Sequence, residues 1–516
     1  MEKGEKDEIN HSLKLLAGAS FIVLITTILS KLLTYLYRIV IARQYTPEIY
    51  GIYSISLMIV GWITVFVGLG FSGGLTRYIP YFRGKKEGYK SFYIVKKTTY
   101  FLLFSGAIGC IILLLLSSFI SNYIFHIPEL EPFLLIFSFA IPLSVLAGVY
   151  FSILKSYEKI GWFTFIVNIL QNSIKLLTLV FLIYIGFNST SIAISYVTGI
   201  AVALIVAYFV ARKKIPSLFV NQETKDGKEV MSSLLAYSWP LMFYGIIASI
   251  FSWTDTFMIG VLRTTAEVGF YNVAVPTAVI ITLSTDLFRQ MLLPIISKEY
   301  GKGNMVAVRE ISRQVTKWLF IAGIPLFAIL FIFPEEVIRI LFGAEYSPAA
   351  KALRILAVGY FVTSILDVSQ EVLSMKGMSK LVLVDTIILA VIDAILNYLL
   401  IPTYGINGAA ISTTISLATL SILFTYQAWR YSSVSIIKPG VSKVVISGII
   451  SFALLFASSV YFGNNLNGLI IGIILFTLSY AILLYITCSI DSNDYMILKA
   501  AKNKFIGVSY TKPVID

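Results

Sequence analysis

The chain has 516 residues, 58% of them hydrophobic and only 13% charged, with a mean hydropathy of +0.86. Water-soluble domains carry roughly 45–50% apolar and about 25% charged residues, so this composition excludes a soluble globular protein. The net charge of +13 comes from cations set between apolar runs rather than gathered in a basic domain, which argues against a nucleic-acid partner.

In chain order the apolar runs lie near 15–41, 48–74, 98–124, 131–153, 161–187, 190–211, 233–261, 268–296, 315–334, 351–375, 380–401, 406–430, 441–462 and 467–489. Each approximates the ~20 residues that cross roughly 30 Å of hydrocarbon at 1.5 Å per residue. The expected fold is therefore all-α: a polytopic membrane protein of 14 transmembrane helices. The first run exceeds a signal-peptide core of 7–15 residues and is followed by no small-residue cleavage site, so it is read as a retained span. Cys110 and Cys488 both fall in predicted spans and suggest no disulfide framework. His11 and His126 are too few for zinc chemistry.

Lys and Arg crowd alternate connections. Arg83, Lys85, Lys86, Lys90, Lys96 and Lys97 follow the second span, Lys155 and Lys159 the fourth, and Arg212, Lys213 and Lys214 the sixth. Lys298, Lys302, Arg309 and Arg313 follow the eighth and Lys376 and Lys380 the tenth, with Lys499, Lys502 and Lys504 in the tail. The opposite connections, such as GFNST at 186–190 and PTYG at 402–405, are nearly free of cations. Cytoplasmic loops carry this excess, so both termini are expected in the cytoplasm of a cell that holds the chain in its plasma membrane.

The chain also repeats itself. IGFNSTSIAIS at 185–195 is echoed by YGINGAAISTT at 404–414, with Gly186 and Asn188 recurring as Gly405 and Asn407 after 219 residues. TPEIYGIYS at 46–54 is echoed by TTAEVGFYN at 264–272, with Gly51 and Tyr53 recurring as Gly269 and Tyr271 after 218. Pro80 and Pro294 match with a local slip of four residues. Shared apolar composition explains recurring Leu and Ile but not Gly-x-Asn and Gly-x-Tyr at a common offset. Each copy carries six spans, and an even number returns the chain to its starting side. The expected plan is two parallel six-helix repeats about an axis along the membrane normal, with the substrate path where they meet. The predicted domains are residues 1–214, residues 228–432, an extra helix pair at 438–490 and a cytoplasmic tail at 491–516.

Ionisable groups inside spans cost about 2.5–3.5 kcal/mol each on insertion scales, so they are expected to face a cavity or one another. In the first span Thr27, Lys31, Thr34 and Arg38 share one helical face; in the fifth, Asn168, Asn172 (or Gln171), Lys175 and Thr178 do so. The tenth carries Thr363, Asp367 and Glu371, the eleventh Thr386, Asp393 and Asn397 beside Asp385, and the seventh Ser252 and Asp255. Asp286 and Arg289 at the end of the eighth are spaced as an ion pair. Cations thus dominate the first repeat and acids the second. A wall bearing Lys31, Arg38 and Lys175, with Arg77 and Arg289 nearer the cytoplasmic edge, suits a phosphorylated headgroup, because charge-assisted bonds to phosphate are strong. These five are the candidate substrate-binding residues. Asp255, Asp393 and Asn397 could share a coupling cation. There is no phosphate-binding loop, no H-E-x-x-H and no G-x-S-x-G, so no enzymatic activity is expected.

The stretches TTAEVGFYNVA (264–274), LLPIISKEYGKGN (292–304), LFGAEYSPAAKALRILA (341–357) and LIPTYGINGAAISTTIS (400–416) resemble the polysaccharide-export flippases of the multidrug/oligosaccharidyl-lipid/polysaccharide exporter superfamily. The likeness spans essentially the whole chain, including the extra helix pair. It implies a flippase that turns a polyprenyl-(pyro)phosphate-linked oligosaccharide from the cytoplasmic to the outer leaflet by alternating access, with Na+ or H+ as candidate coupling ion. By resemblance to a sodium site in that superfamily, Asp255, Asp393, Asn397 and Thr413 hold that ion, with the acid and amide of the eleventh span in swapped order. Lys31, Arg38 and Lys175 do not align cleanly with the arginines of the related lipid II flippases and rest on the stripe pattern alone. Expected partners are the lipid-linked glycan, membrane lipids and glycan-assembly enzymes, and the chain is read as a monomer. The rival functions are a cation-coupled exporter of drugs or organic cations, and a non-transporting scaffold for glycan assembly.

Overall fold

The computed structural model describes residues 26–219, 227–436, 440–463 and 465–489. The start of the first predicted span (15–25), His11 and the predicted tail 491–516 with its three lysines lie outside them. Among the described residues there is no strand, and 13 helices are long and apolar enough to cross a membrane. Helix α1, over 26–44, covers the described part of the first predicted span.

Most spans lie within a few residues of their predicted bounds. Pro47 at the start of α2 (Pro47–Gly68) suits a first helical turn, where its missing N–H is not needed. The second predicted span, 48–74, stops early because Leu69 and Gly70 both adopt left-handed backbone, at φ 48° and 68°. After this break the chain resumes as α3 (Phe71–Gly84). Next come α4 (Gly88–Phe125), α5 (Leu130–Ser156), α6 (Ile160–Tyr184), α7 (Ser191–Lys214) and α8 (Gly227–Leu262). The predicted span 268–296 is divided between α9 (Thr265–Val279) and α10 (Leu283–Gly301) by a tight turn at Ile280–Thr282. Then follow α11 (Met305–Ile332), α12 (Pro334–Leu341), α13 (Ala349–Leu366), α14 (Val368–Met375), α15 (Ser379–Tyr404), α16 (Ile406–Ser432), α17 (Val441–Tyr461) and α18 (Leu466–Ile486).

The recurring Gly-x-Asn marks a helix end in both repeats. Gly186 and Gly405 sit just past α6 and α15 at φ 78° and 56°, where a side chain would be strained. The Gly186 N–H bonds the Ile183 carbonyl and the Gly405 N–H the Ile401 carbonyl.

The chain forms two compact units: Met1–Val273 with Leu341–Pro348 and Ala394–Ala409, and Ala274–Ile340 with Ala349–Asp393 and Ala410–Asp516. In the first, α2 is buried along most of its length, with Tyr50, Ile55 and Met58 fully enclosed. α4 and α5 approach closely because Gly106 lies on Pro142 and Val145, and Gly109 on Ile141. Small residues allow such backbone contact, which drives helix association where lipid competes equally for apolar surface.

The second recurring motif supplies another such contact. A Cβ at Gly51 would strike the Thr265 carbonyl, and one at Gly269 the Pro47 carbonyl. Pro47 and Thr265 are themselves equivalent positions of the repeat. The two copies of the motif therefore cross one another reciprocally, each glycine against the first turn of the other helix.

In the second unit Leu292, Ile296, Val308, Val315, Val372 and Phe424 form one core, joining α10, α11, α14 and α16. Phe320, Ile324, Phe333, Leu455 and Phe476 form another, which fastens the extra pair α17–α18 onto α11. Gly448 against Ile324, and Gly472 against Ser458 and Leu455, make the close approaches there.

In an exposed helix Gly→Ala would gain up to about 1 kcal/mol. At Gly51 and Gly269 the added methyl has no room, and overpacking of this kind costs about 1–3 kcal/mol. Gly51→Ala and Gly269→Ala should each lower the thermal unfolding temperature of the purified protein. Gly61→Ala, in the same α2 but in open space, should leave it unchanged or raise it; intrinsic fluorescence on heating compares the three.

Candidate functional site

The sequence pattern concentrates ionisable groups on α1, α6, α8 and α15, and the first unit brings several of them together. α1 docks on α7 through tyrosines: Tyr37 Oη lies 2.9 Å from Ser195 Oγ, and Tyr45 Oη 2.7 Å from Ser191 Oγ. α6 meets α1 through amides, with Asn172 Nδ2 donating to Ser30 Oγ at 3.0 Å and Asn168 Nδ2 to Thr26 Oγ1 at 3.5 Å. The face of α1 that α6 reads is thus Thr26–Ser30, one position before the predicted Thr27–Lys31 stripe. A π-turn at Phe165–Leu170 adds an extra residue to α6 at this point, which a uniform 3.6-residue period does not anticipate.

This docking leaves two cations among neutral partners. Arg38 Nη1 donates to Tyr50 Oη at 3.2 Å and to the Asn272 carbonyl at 3.4 Å. Lys175 lays its stem on Gly199, whose missing side chain makes the room. It then places Nζ 4.3 Å from the centre of the Tyr196 ring. Among the described residues neither cation meets a carboxylate. A cation over a ring face gains about 0.5–2 kcal/mol, much less than a carboxylate would supply in a place without water. Lys31 stands half-buried two turns before Arg38 on α1. Arg77, on the exposed side of α3, lies 4.2 Å from the centre of the Tyr237 ring.

The acid of α8 is held from two sides. Asn397 Nδ2 donates to Asp255 Oδ1 at 2.6 Å, and Tyr271 Oη to Asp255 Oδ2 at 2.5 Å. Asp255 and Asn397, paired by the sequence reading, are therefore in contact. Tyr271 was visible in the sequence only as half of a repeated Gly-x-Tyr. Carboxylate and amide carbonyl oxygens are hard donors, a set that fits Na+ and not a soft metal. Asp393, one turn before Asn397 on α15, and Thr413 on α16 belong to the second unit and are half-buried there.

Arg289 differs from the other cations. Its Nε meets Glu371 Oε1 at 2.8 Å, and its Nη2 meets Asp367 Oδ1 at 3.2 Å and Gln370 Oε1 at 2.9 Å. Beyond Asp286, the neighbour named from spacing, Arg289 thus reaches Asp367 and the acid of α14, because α10 packs along α14 and brings that edge within reach. The Asp385 carboxylate accepts from Gln427 Nε2 at 2.7 Å. Lys317 of α11 is buried at 3% exposure and belonged to none of the predicted stripes.

A cavity of about 960 Å³ among α2, α4 and α8 is lined by Trp62, Phe66, Phe104, Phe251 and Phe257. Its walls are almost wholly apolar, so the polar chemistry lies with Arg38, Lys175 and Asp255 and not there.

Comparison with known proteins places the chain. The family model described as "Polysaccharide biosynthesis protein" matches residues 15–299, more than half of it. The chain belongs to this family. A second model, MatE, matches residues 240–399. The chain is 28% identical over 243 residues to a probable low-salt glycan biosynthesis flippase, Agl15, of Haloferax volcanii, covering 46% of this chain and 51% of that one. The match thus spans about half of that relative's length. It is 23% identical to a putative O-antigen transporter of Shigella flexneri over 76% of this chain and 93% of that one. Among solved structures, the lipid II flippase MurJ in an inward closed conformation superposes with TM-score 0.71 at 17% identity, covering 90% of this chain and 98% of that one. An inward-facing multidrug MATE transporter gives 0.65 at 14% identity, over 80% of this chain and 98% of that one. At such identities the superpositions establish the shared fold. The chain is therefore a multi-pass membrane member of the polysaccharide biosynthesis protein family.

For this family member the Arg289 cluster gives a stability test. Removing the guanidinium leaves Glu371 and Asp367, both largely buried, without their cation. An unsatisfied buried charge of this kind costs about 1–3 kcal/mol or more. Arg289→Gln should lower the unfolding temperature, and Arg289→Gln with Glu371→Gln should recover part of the loss, which a double-mutant cycle reads as coupling.

Proposed function

We propose that the chain is a flippase for a polyprenyl-(pyro)phosphate-linked oligosaccharide, turning its headgroup from the cytoplasmic to the outer leaflet by alternating access. The observation that carries this reading is that Arg38 and Lys175, two cations of the same unit, are held by hydroxyl, carbonyl and ring instead of by carboxylates. A phosphate offers what these partners do not, since its oxygens accept from a guanidinium fork in two parallel bonds. The half-buried ring of Tyr196 lies beside Lys175 and suits a sugar's apolar face. The names of the relatives, glycan flippase and O-antigen transporter, support the same cargo and support transport over chemistry.

In this reading Lys and Arg between alternate spans keep both termini in the cytoplasm of a plasma-membrane protein. The crossing of Gly51 and Gly269 then lies at the outer end and holds that side shut, while the charged headgroup is received from the cytoplasm. Asp255 and Asn397 are the residues that would hold a coupling Na+, which would supply compensating positive charge at Asp255, whose carboxylate the Tyr271 hydroxyl holds in the absence of an ion. Arg289 is already satisfied by its own acids and is assigned to stability, not to the headgroup.

Export of organic cations is the second reading, favoured by the MatE match over 240–399 and by the acid at Asp255. It gives no use for Arg38 and Lys175. Their replacement separates the two. Each charge-assisted bond is worth about 1.5–3 kcal/mol, on the order of 10- to 100-fold in affinity. Cells carrying Arg38→Gln with Lys175→Gln as their only copy should accumulate unflipped lipid-linked glycan and lose the surface polymer, with normal amounts of the protein in the membrane. Undiminished surface glycan would overturn the headgroup assignment.

A further inference from the structure

One turn of α9 touches everything the proposed transport cycle uses. Gly269 lies against Pro47 of α2 with no space for a side chain. Two residues on, Tyr271, 1% exposed, donates its hydroxyl to Asp255. The next residue, Asn272, holds Arg38 through its carbonyl at 3.4 Å. The Asn272 side chain is anchored in turn by Thr256, the neighbour of Asp255 on α8, with Asn272 Nδ2 donating to Thr256 Oγ1 at 3.1 Å. The acid and the cation thus communicate through two consecutive residues.

We infer that the Tyr271–Asn272 turn couples cation occupancy at Asp255 to the availability of Arg38 for a phosphate. The inference rests on the flippase reading and adds a linkage between its two charged sites. A cation seated on Asp255 competes with the Tyr271 hydroxyl for the same carboxylate and displaces it. Tyr271 is 1% exposed and shares with Asn272 one helical turn packed at Gly269, so the ring has little room to swing alone and its displacement is passed to the carbonyl beside it. That carbonyl holds Arg38 by a bond already long for N–H···O, whose usual range ends near 3.2 Å. Loosened further, it yields the guanidinium to the headgroup phosphate. Linkage is reciprocal: a bound phosphate that draws Arg38 away favours the cation at Asp255 by the same factor. Tyr271 is a positioning residue here, acting on the headgroup through Asn272 and Arg38.

The test uses the full chain purified in detergent, with farnesyl diphosphate as the anionic probe. Its apparent Kd is read in sodium chloride and in choline chloride at one ionic strength. Sodium binding is read separately as the shift in unfolding temperature. In the unmodified protein sodium should tighten the probe by about fivefold or more, within the usual range of coupling between sites. In Tyr271→Phe, which keeps the ring and its packing, the ratio of the two Kd values should fall below about twofold, whatever the separate affinities become. Thr256→Val, which frees the Asn272 side chain, should lower the ratio in the same direction and serves if Tyr271→Phe unfolds. A wild-type ratio retained in both variants overturns the coupling. So does sodium and probe binding to the unmodified protein with no mutual effect, an outcome that leaves the headgroup assignment standing. Failure of the unmodified protein to bind the probe, or equal binding by Arg38→Gln, overturns the headgroup assignment itself.

Discussion

A charge in hydrocarbon must be met by another charge, by dipoles or by water, and this constraint organises the polar interior of the chain. Arg289 takes the first solution, between Glu371 and Asp367. Asp385 and Asp255 take the second, the one receiving the Gln427 amide and the other the Asn397 amide and Tyr271 phenol. Arg38 and Lys175 also rest on dipoles, of hydroxyl, carbonyl and aromatic ring. A protein under selection for stability alone has little reason to keep two cations so lightly compensated. Their cost is intelligible if an anion arrives to meet them.

The same constraint shapes the backbone. Helix association in lipid relies on close packing more than on expulsion of water, so glycine placement decides which helices touch. The duplication in the sequence and the crossing of α2 with α9 are one fact seen twice. The motif that recurs is the one that packs against its own copy, Gly51 on Thr265 and Gly269 on Pro47. A repeat can drift in its lipid-facing residues while such a crossing is held fixed, because any side chain there strikes backbone.

Much of the architecture was legible in the sequence because hydrophobic length is a direct readout of the bilayer. The all-helical plan and the approximate span bounds followed from it. The interruptions did not. Leu69 as a left-handed residue has no marker beyond the glycine that follows it, and the turn at Ile280–Thr282 is written in ordinary apolar residues. The site was legible in its charges and illegible in its neutral partners. Arg38, Lys175, Asp255 and Asn397 stand out because charge in a span is conspicuous. Tyr196, Tyr50 and Tyr271 do not, in a chain with 31 tyrosines. For a related reason the spacing pointed only to Asp286 for Arg289, whereas packing of α10 on α14 brings Asp367 and Glu371 to it as well.

These partners also bear on why a transporter would place an acid and a cation one helical turn's contacts apart without letting them pair. A direct ion pair between Asp255 and Arg38 would neutralise both and leave neither responsive to a ligand, since breaking such a pair in a dry interior costs several kcal/mol. Tyr271 and Asn272 stand between them as polar, uncharged spacers. Each charge keeps a partner that a stronger ligand can displace, and under the proposed linkage a displacement on one side is felt on the other through the turn they share. Neutral intermediaries thus keep two opposite charges stable at rest and available in use, which an ion pair cannot do.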